Sequence, residues 1–499
     1  MDDYGVELRT RLAKILGDGR WLCFGLMASG ARQMSVDVAE IAGLDPSLVC
    51  GLAVFGDDPE PESPYQVVTL NETGSGDFVA DLLRAPDLVA TPSPKCQALV
   101  EAWDPSGQAK ALVVPFMTDT PLAHRATFGA RPLRWTTLED KLTIGSLWDR
   151  VGVARAPSDN IDLLDSDRLL QAHRALASPA GTVWAVDNSK GLHGGANGTR
   201  WVHTEPDTTR IGDEFRRLGY QQVRIMPFLI GVPCSIHGVV FDDRTVALRP
   251  NEMLVYVDPE SGRFRYSRAA NYWDPERQQR SEMVEAVVAI GDEMRNEVDF
   301  RGVFTLDGVM TDEGFRPTEV NPRYGVALRS SVPTGDGGTL NLFMLNMALV
   351  ERAIDIDPDR FEQWLVPTLE ANRAGGGMVS TSRSPDGARA GSVRFGVRSD
   401  SPELLLVPAD EDDGGEGDSG EGDSGEGDGG RGDGERANDD VVAEIRWQPH
   451  LAGGLLRVTF GSGCPIGPAT APLLSQILNL VDSEWDCGLG PLVPALEVR

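Results

Sequence analysis

Apolar residues along the chain follow two rhythms. Short unbroken runs, WLCFGLM (21–27), GLAVFG (51–56) and ALVVPFM (111–117), predict buried strands. Helical periods lie between and before them. Leu8, Leu12 and Ile15 recur at spacings of four and three and predict a helix over 5–16. FVADLLRA, beginning at Phe78, predicts another. Strand and helix in alternation predict an α/β domain with a mainly parallel sheet over residues 1–135.

The pattern then becomes mixed. LEDKLTIGSLWDRVGV (138–153) predicts a helix with Leu142, Ile144 and Leu147 inside. TVWAV, a glycine-rich loop and RWVH predict strand, loop, strand. QQVRIMPFLIGVPCSIHGVVF (221–241) is strand-rich with a Gly/Pro break, and residues 281–299 carry a long helical period through Met283, Val287, Ile290 and Met294. GVFTLDGVM (302–310) and RPTEVN (316–321) flank TDEG and predict an antiparallel pair. TLNLFMLNMALVERAI (339–354) predicts an apolar helix. These elements place a second domain over 136–372. Beyond it, MVSTSRSP, GSVRFGVR, ELLLVP, VVAEIRWQPH and LLRVTF predict short strands, with a helix near 472–482, in a small β-rich domain over 373–499.

Charge changes this picture in one place. Residues 410–440 hold 14 Asp or Glu against two Arg, so they supply −12 of the net charge of −30. The repeated unit GEGDS is nearly free of apolar groups and predicts a disordered acidic insertion inside the C-terminal domain. The negative surface disfavours nucleic acid and anionic membrane as partners. No apolar run approaches the ~20 residues of a membrane span. The start, MDDYGVELRT, lacks the features of a signal peptide. Six cysteines with no CxxC pair suit buried free thiols, and a cytoplasmic protein is expected.

Candidate chemistry concentrates in LDGVMTDEGFRPTEVNPRYG. Asp307 lies within an apolar strand, and Glu319 and Asn321, two apart on the next strand, share a face. Across a tight hairpin the three converge. Hard oxygen donors of this kind suit Mg²⁺, which takes one or two carboxylates plus substrate phosphates and water. The alternative is a structural ion pair of these carboxylates with Arg323.

The hairpin resembles the closing motif of the ATP-grasp superfamily of ligases, a strand with Asp, a turn, then a strand reading roughly E-x-N-x-R. The resemblance spans about residues 20–355 and implies a nucleotide held between two α+β subdomains, with an N-terminal pre-ATP-grasp α/β domain and a small C-terminal β-rich domain beside it. It makes Asp307, Glu319 and Asn321 magnesium ligands and brings Arg323 to the transferring or acyl phosphate. Lys141, in LEDK, becomes a nucleotide contact; otherwise it lies on a solvated helix face. The chain has five lysines against 41 arginines, so a lysine here is not filler by default.

The glycine loop in VWAVDNSKGLHGGANGTRWV would cover the phosphates through Gly191, Gly194, Gly195 and Gly198, or is a plain turn. The usual strand-end lysine is Asp187 here, which leaves Lys190 as a substitute. Met226, Phe228 and Leu229 fall on the adenine hinge, although Met226 and Pro233 replace the family's acids. Arg249 is implied as a phosphate clamp and Arg329 as a carboxylate clamp. His237 is a core histidine or a substrate contact.

The function implied is an ATP- and Mg-dependent ligase joining a small-molecule carboxylate to an amine through an acyl phosphate. A peptide is among the candidate substrates, and a homodimer among the candidate assemblies. In layout the chain is similar to the pheganomycin-type peptide ligases. The alternatives are a degenerate nucleotide-binding protein without ligase activity, favoured by Asp187, Met226 and Pro233, and an ATP-dependent kinase on the same fold.

Overall fold

The computed structural model describes residues 4–56, 63–70, 72, 78–113, 117–187, 196, 198–381, 383, 393–400, 403–408, 441–450, 453–490 and 492–498. The predicted acidic insertion at 410–440, Lys190, Gly191, Gly194 and Gly195 lie outside them. The chain divides into two compact units. One holds residues 1–229, 235–249 and 278–372; the other holds 230–234, 250–277 and 373–499.

The first unit opens with the predicted parallel sheet. Its strand order is Gln66–Thr69, Val49–Phe55, Trp21–Met27, Lys110–Leu112, Thr127–Phe128, all parallel. The apolar runs are central strands buried on both faces, as such runs require. The helix Tyr4–Gly17 buries Tyr4, Leu8, Leu12 and Leu16, and Ile15 sits at the edge of that stripe.

A four-stranded antiparallel sheet follows, in the order Asp159–Asp162, Gln222–Pro227, Thr182–Val186, Thr199–Val202. Helices Ser166–Leu176 and Glu205–Arg217 cover one face, over a core that includes Trp184, Val186, Val223 and Ile225. Strand alternation therefore turns Val183, Ala185, Arg224 and Met226 to the other face.

The hairpin Gly302–Thr311 and Gly314–Asn321 forms as predicted and lies beside the strand Val232–Val240. The helix Arg277–Val298 packs on its far side. A Cβ on Gly238 would strike the Phe304 ring and Val287, so only glycine lets the helix come this close.

The second unit is built on a five-stranded antiparallel sheet. Its order is Gly376–Thr381, Gly453–Phe460, Val441–His450, Val393–Asp400, Glu403–Pro408. The helix Ala471–Trp485 and the hairpin Asn251–Val257/Phe264–Ala270 share its core. Its C-terminal part thus recruits residues 250–277 from earlier in the chain. No helix among the described residues is long and apolar enough to cross a membrane.

Candidate active site

The site is built on the hairpin. Asp307 pairs with Glu319 in the ladder, and Thr305 pairs with Asn321. A register shift follows Asp307, at Gly308. A side chain at Gly308 would overlap the Arg316 carbonyl and the Phe315 ring, so the bulge demands glycine and re-aims the strand next to the carboxylate.

Asn321 Nδ2 donates to Asp307 Oδ2 at 2.8 Å and to Glu319 Oε1 at 3.2 Å. Two carboxylates thus meet through one amide. Like charges directly opposite in a ladder repel. Burial, then the Glu319 charge, raises the Asp307 carboxyl well above the usual range. Burial also opposes ionisation of Glu319, but the Lys141 charge and hydrogen bond, with the Asn321 amide, outweigh it and bring Glu319 down to about 2.

Lys141 is the cation that meets the pair. Its Nζ lies 2.9 Å from Glu319 Oε2, with the lysine side chain 11% exposed and the glutamate 30%. The predicted helix over 138–153 does not form as one piece. A 3-10 turn ends at Glu139, and the α-helix is confined to Ile144–Val151. Asp140 accepts from the Leu142 backbone N–H at 2.9 Å, an Asx-type bond that competes with helix formation and leaves Lys141 in the break. Lys141 is therefore not on a solvated helix face.

The ion pair of the hairpin with Arg323 is not the one that forms. Arg323 instead reaches Glu139 Oε1 at 2.9 Å, and Arg131 shares that oxygen at 3.2 Å. Arg131 also donates to the Pro322 carbonyl at 3.2 Å, anchoring the loop after the hairpin. Burial lowers Arg131 to about 10 although Glu139 pulls the other way.

Arg224 completes the cluster. It donates to the carbonyls of Lys141 at 2.8 Å and Thr318 at 3.0 Å, and its guanidinium lies 5.7 Å over the Trp148 ring. It links the four-stranded sheet to the hairpin without meeting a carboxylate among the described residues, and its Nε is buried and unpartnered. Burial lowers it to about 10, with Glu319 the leading opposing charge. One charged residue in the apolar strand Gln222–Pro227 was the sequence signal for it; Glu139, beside Lys141, had none.

Other predicted residues sit elsewhere. Met226 and Phe228 are buried and Leu229 is half-buried. The Phe228 backbone N–H bonds to the Gly181 carbonyl at 2.9 Å, and its ring lies 5.8 Å from Trp201. Gly198 accepts from the Val186 backbone at 3.0 Å, leading into the strand Thr199–Val202. Asp187 accepts from the backbone N–H groups of Gln221 and Gln222, so it serves the sheet. Arg249 is buried and ion-paired to Glu370, which also takes Arg280. His237 is buried in the core beside Thr305 and Gly325. Arg329 is exposed.

Among the described residues no three of His, Cys, Asp and Glu gather as a metal site. The donors present are two carboxylates and an amide, a set that fits Mg²⁺, because that ion draws its remaining ligands from phosphate and water. A cation between Asp307 and Glu319 would let both carboxyls ionise side by side.

No family model and no curated protein sequence matches the chain. Solved structures do. The biotin carboxylase domain dimer of the Hydrogenobacter thermophilus 2-oxoglutarate carboxylase, in complex with MgADP, ADP and bicarbonate, is similar over 93% of this chain and 90% of its own, at 12% identity and a TM-score of 0.52. An L-amino acid ligase from Bacillus licheniformis covers 93% and 98% at 12% identity and a TM-score of 0.47. An Aspergillus clavatus carboxyaminoimidazole ribonucleotide synthase complexed with ATP covers 94% and 99% at 12% identity and a TM-score of 0.46. With a parallel N-terminal sheet, a small antiparallel sheet linked to an acidic hairpin, and the first of these likenesses spanning nine-tenths of both chains, the protein has the ATP-grasp fold.

Proposed function

We propose that the protein is an ATP- and Mg-dependent ligase that joins a carboxylate to an amine through an acyl phosphate. The observation that carries this reading is the hairpin: Asp307 and Glu319 paired across two strands, bridged by Asn321, with Lys141 on Glu319. Asp307, Glu319 and Asn321 are the residues that would hold magnesium. When bound, the ion would offset the charge that develops on the transferring phosphoryl group.

The chain's own residues bind and orient. ATP gives its γ-phosphoryl to the carboxylate and ADP is released. The amine then attacks the acyl carbon, the C–N bond forms, phosphate leaves, and the amine loses a proton. No protein nucleophile is required, so the contribution is positioning and fixed charge. Lys141 offers its ammonium to phosphate. Arg224 holds the Lys141 backbone and adds positive charge behind it. Arg323, braced on Glu139, is placed by the residues that fix the loop. Arg329 is the candidate clamp for a substrate carboxylate, and an amino acid or peptide is the substrate class to try first. The pairing of Arg249 with Glu370 commits its fork to a structural partner and weakens its case as a phosphate clamp.

Pooled amino acids, peptides and amines, assayed for Mg-dependent release of ADP and phosphate, test this. Turnover that needs both a carboxylate and an amine supports a ligase. Turnover without the amine supports a kinase. Tight ATP binding with no turnover supports the rival reading, a nucleotide-binding protein without ligase activity, which the structural use of Asp187 favours.

A further inference from the structure

Three of the four carboxylate oxygens of the acidic hairpin are engaged as it stands. Lys141 occupies Glu319 Oε2, and Asn321 Nδ2 occupies Glu319 Oε1 and Asp307 Oδ2. A divalent ion reaching these oxygens meets an ammonium in its place and an amide that offers its donor side. Two displacements are needed: the ammonium must leave and the amide must turn its oxygen inward. Two positive species on one carboxylate repel at short range.

The lysine is built for such a departure. Its backbone is fixed at its own carbonyl and at the next residue. The Lys141 carbonyl accepts from Arg224 at 2.8 Å, and Leu142 is held through its N–H by Asp140 and through its carbonyl by Asn160 at 2.9 Å. The ammonium rides on a flexible four-carbon stem, so it can move while the backbone stays.

We infer that Lys141 is a built-in counter-ion: in the ligand-free protein it holds the divalent ion's place on Glu319, and it swings to the phosphates when metal and nucleotide enter together. This rests on the metal reading of the hairpin given above. Its consequence is coupling. Metal alone binds weakly because it must evict an ammonium that has no anion to go to. Nucleotide provides that anion, so each ligand improves the other's binding.

The test uses Mn²⁺ as a spectroscopic probe on the full chain, with free Mn²⁺ followed by electron paramagnetic resonance. Without nucleotide, Lys141→Met should bind Mn²⁺ roughly tenfold more tightly than the wild type, within the usual range of coupling between two sites. Lys141→Arg should stay as weak as the wild type, because it keeps the charge. Adding Glu319→Gln to Lys141→Met should erase the gain. Lys141→Gln gives the same comparison if the Met variant is unstable, and thermal melting verifies folding of each. A purely structural ion pair moves the melting temperature and leaves Mn²⁺ affinity unchanged; that result, or weaker Mn²⁺ binding in Lys141→Met, overturns the inference. If neither the wild type nor any variant holds Mn²⁺, with or without ADP, the metal reading falls and takes the inference with it. If the wild type with ADP holds Mn²⁺ but Lys141→Met gains nothing, only the inference falls.

Discussion

Asp307→Asn should make the ligand-free protein more stable while removing its activity. Asp307 stands opposite Glu319 in the ladder, a placement that sets Cβ atoms about 5 Å apart. Two unit charges at that separation repel by about 3 kcal/mol at an effective dielectric of ~20. Lys141 and Arg323 lie near enough to offset part of this. A net gain of about 1–2 kcal/mol is therefore expected, raising the melting temperature by roughly 2–8 °C for a unit of a few hundred residues. The hydrogen bond from Asn321 need not be lost, because the new amide still offers an oxygen.

The pH dependence gives the sign a second check. The Asp307 carboxyl is raised in the fold, so the fold prefers it protonated. Its stabilising contribution is fully present below the unfolded value of about 4 and is lost as pH rises through the folded value. The variant lacks this loss. Its advantage over the wild type should be near zero at about pH 4 and should grow with pH to a plateau. Urea denaturation in EDTA, followed at several pH values, measures the difference. ADP release should fall at least 100-fold, because a carboxylate that would hold the magnesium is gone. A variant less stable than the wild type at neutral pH, or an advantage that shrinks with rising pH, would refute the repulsion on which the metal reading rests.

Three further outcomes are expected. Glu319→Gln should abolish ADP formation and cost about 1–2 kcal/mol, because Lys141 loses its carboxylate at a partly exposed site; normal turnover sinks the metal assignment. Arg224→Met should weaken ADP binding and cost about 1–3 kcal/mol, since the carbonyls of Lys141 and Thr318 lose their donor; calorimetric ADP titration showing unchanged affinity would leave Arg224 a structural bridge only. Glu252 caps the helix Ala471–Trp485 through the N–H groups of Thr470 and Ala471 and the Thr470 hydroxyl. Glu252→Ala should cost about 2 kcal/mol in chemical denaturation and Glu252→Gln clearly less, because the amide oxygen still accepts.

The hairpin and the strand–helix alternation were legible because both rest on local pattern. WLCFGLM and GLAVFG have no polar alternation to satisfy, and LDGVMTDEGFRPTEVN carries its own turn and its own period of two. What was not legible depends on contacts distant in sequence. Lys141 meets Glu319 across 178 positions of chain, and Arg224 reaches Thr318 across 94. Helical periodicity over 138–153 misled because Asp140 captures the Leu142 N–H, a local bond that a periodic pattern does not register. Arg249 and Glu252 are neighbours in the sequence that the fold sends to different partners, Glu370 and the helix at Ala471. Neither partner is visible from their position near a strand end.

Charge balance supports the use proposed for the cluster. Lys141, Arg224, Arg323 and Arg131 face Asp307, Glu319 and Glu139, with Asn321 between the first two carboxylates. If stability alone had shaped this group, Arg224 would meet a carboxylate and Asp307 would be apolar, since buried ion pairs are often replaced by hydrophobic contacts without loss. Instead the carboxylates repel each other, and among the described residues a buried guanidinium donates only to carbonyls and a sulfur. Both arrangements are unfavourable in the ligand-free protein, and both would be relieved by the same visitor, a divalent cation carrying a polyphosphate. In the proposed reading the cation would answer Asp307 and Glu319, and the phosphates would answer Lys141 and Arg224. Opposite demands so close together select a ligand with both signs of charge, and that is the physical case for a metal–nucleotide at this hairpin.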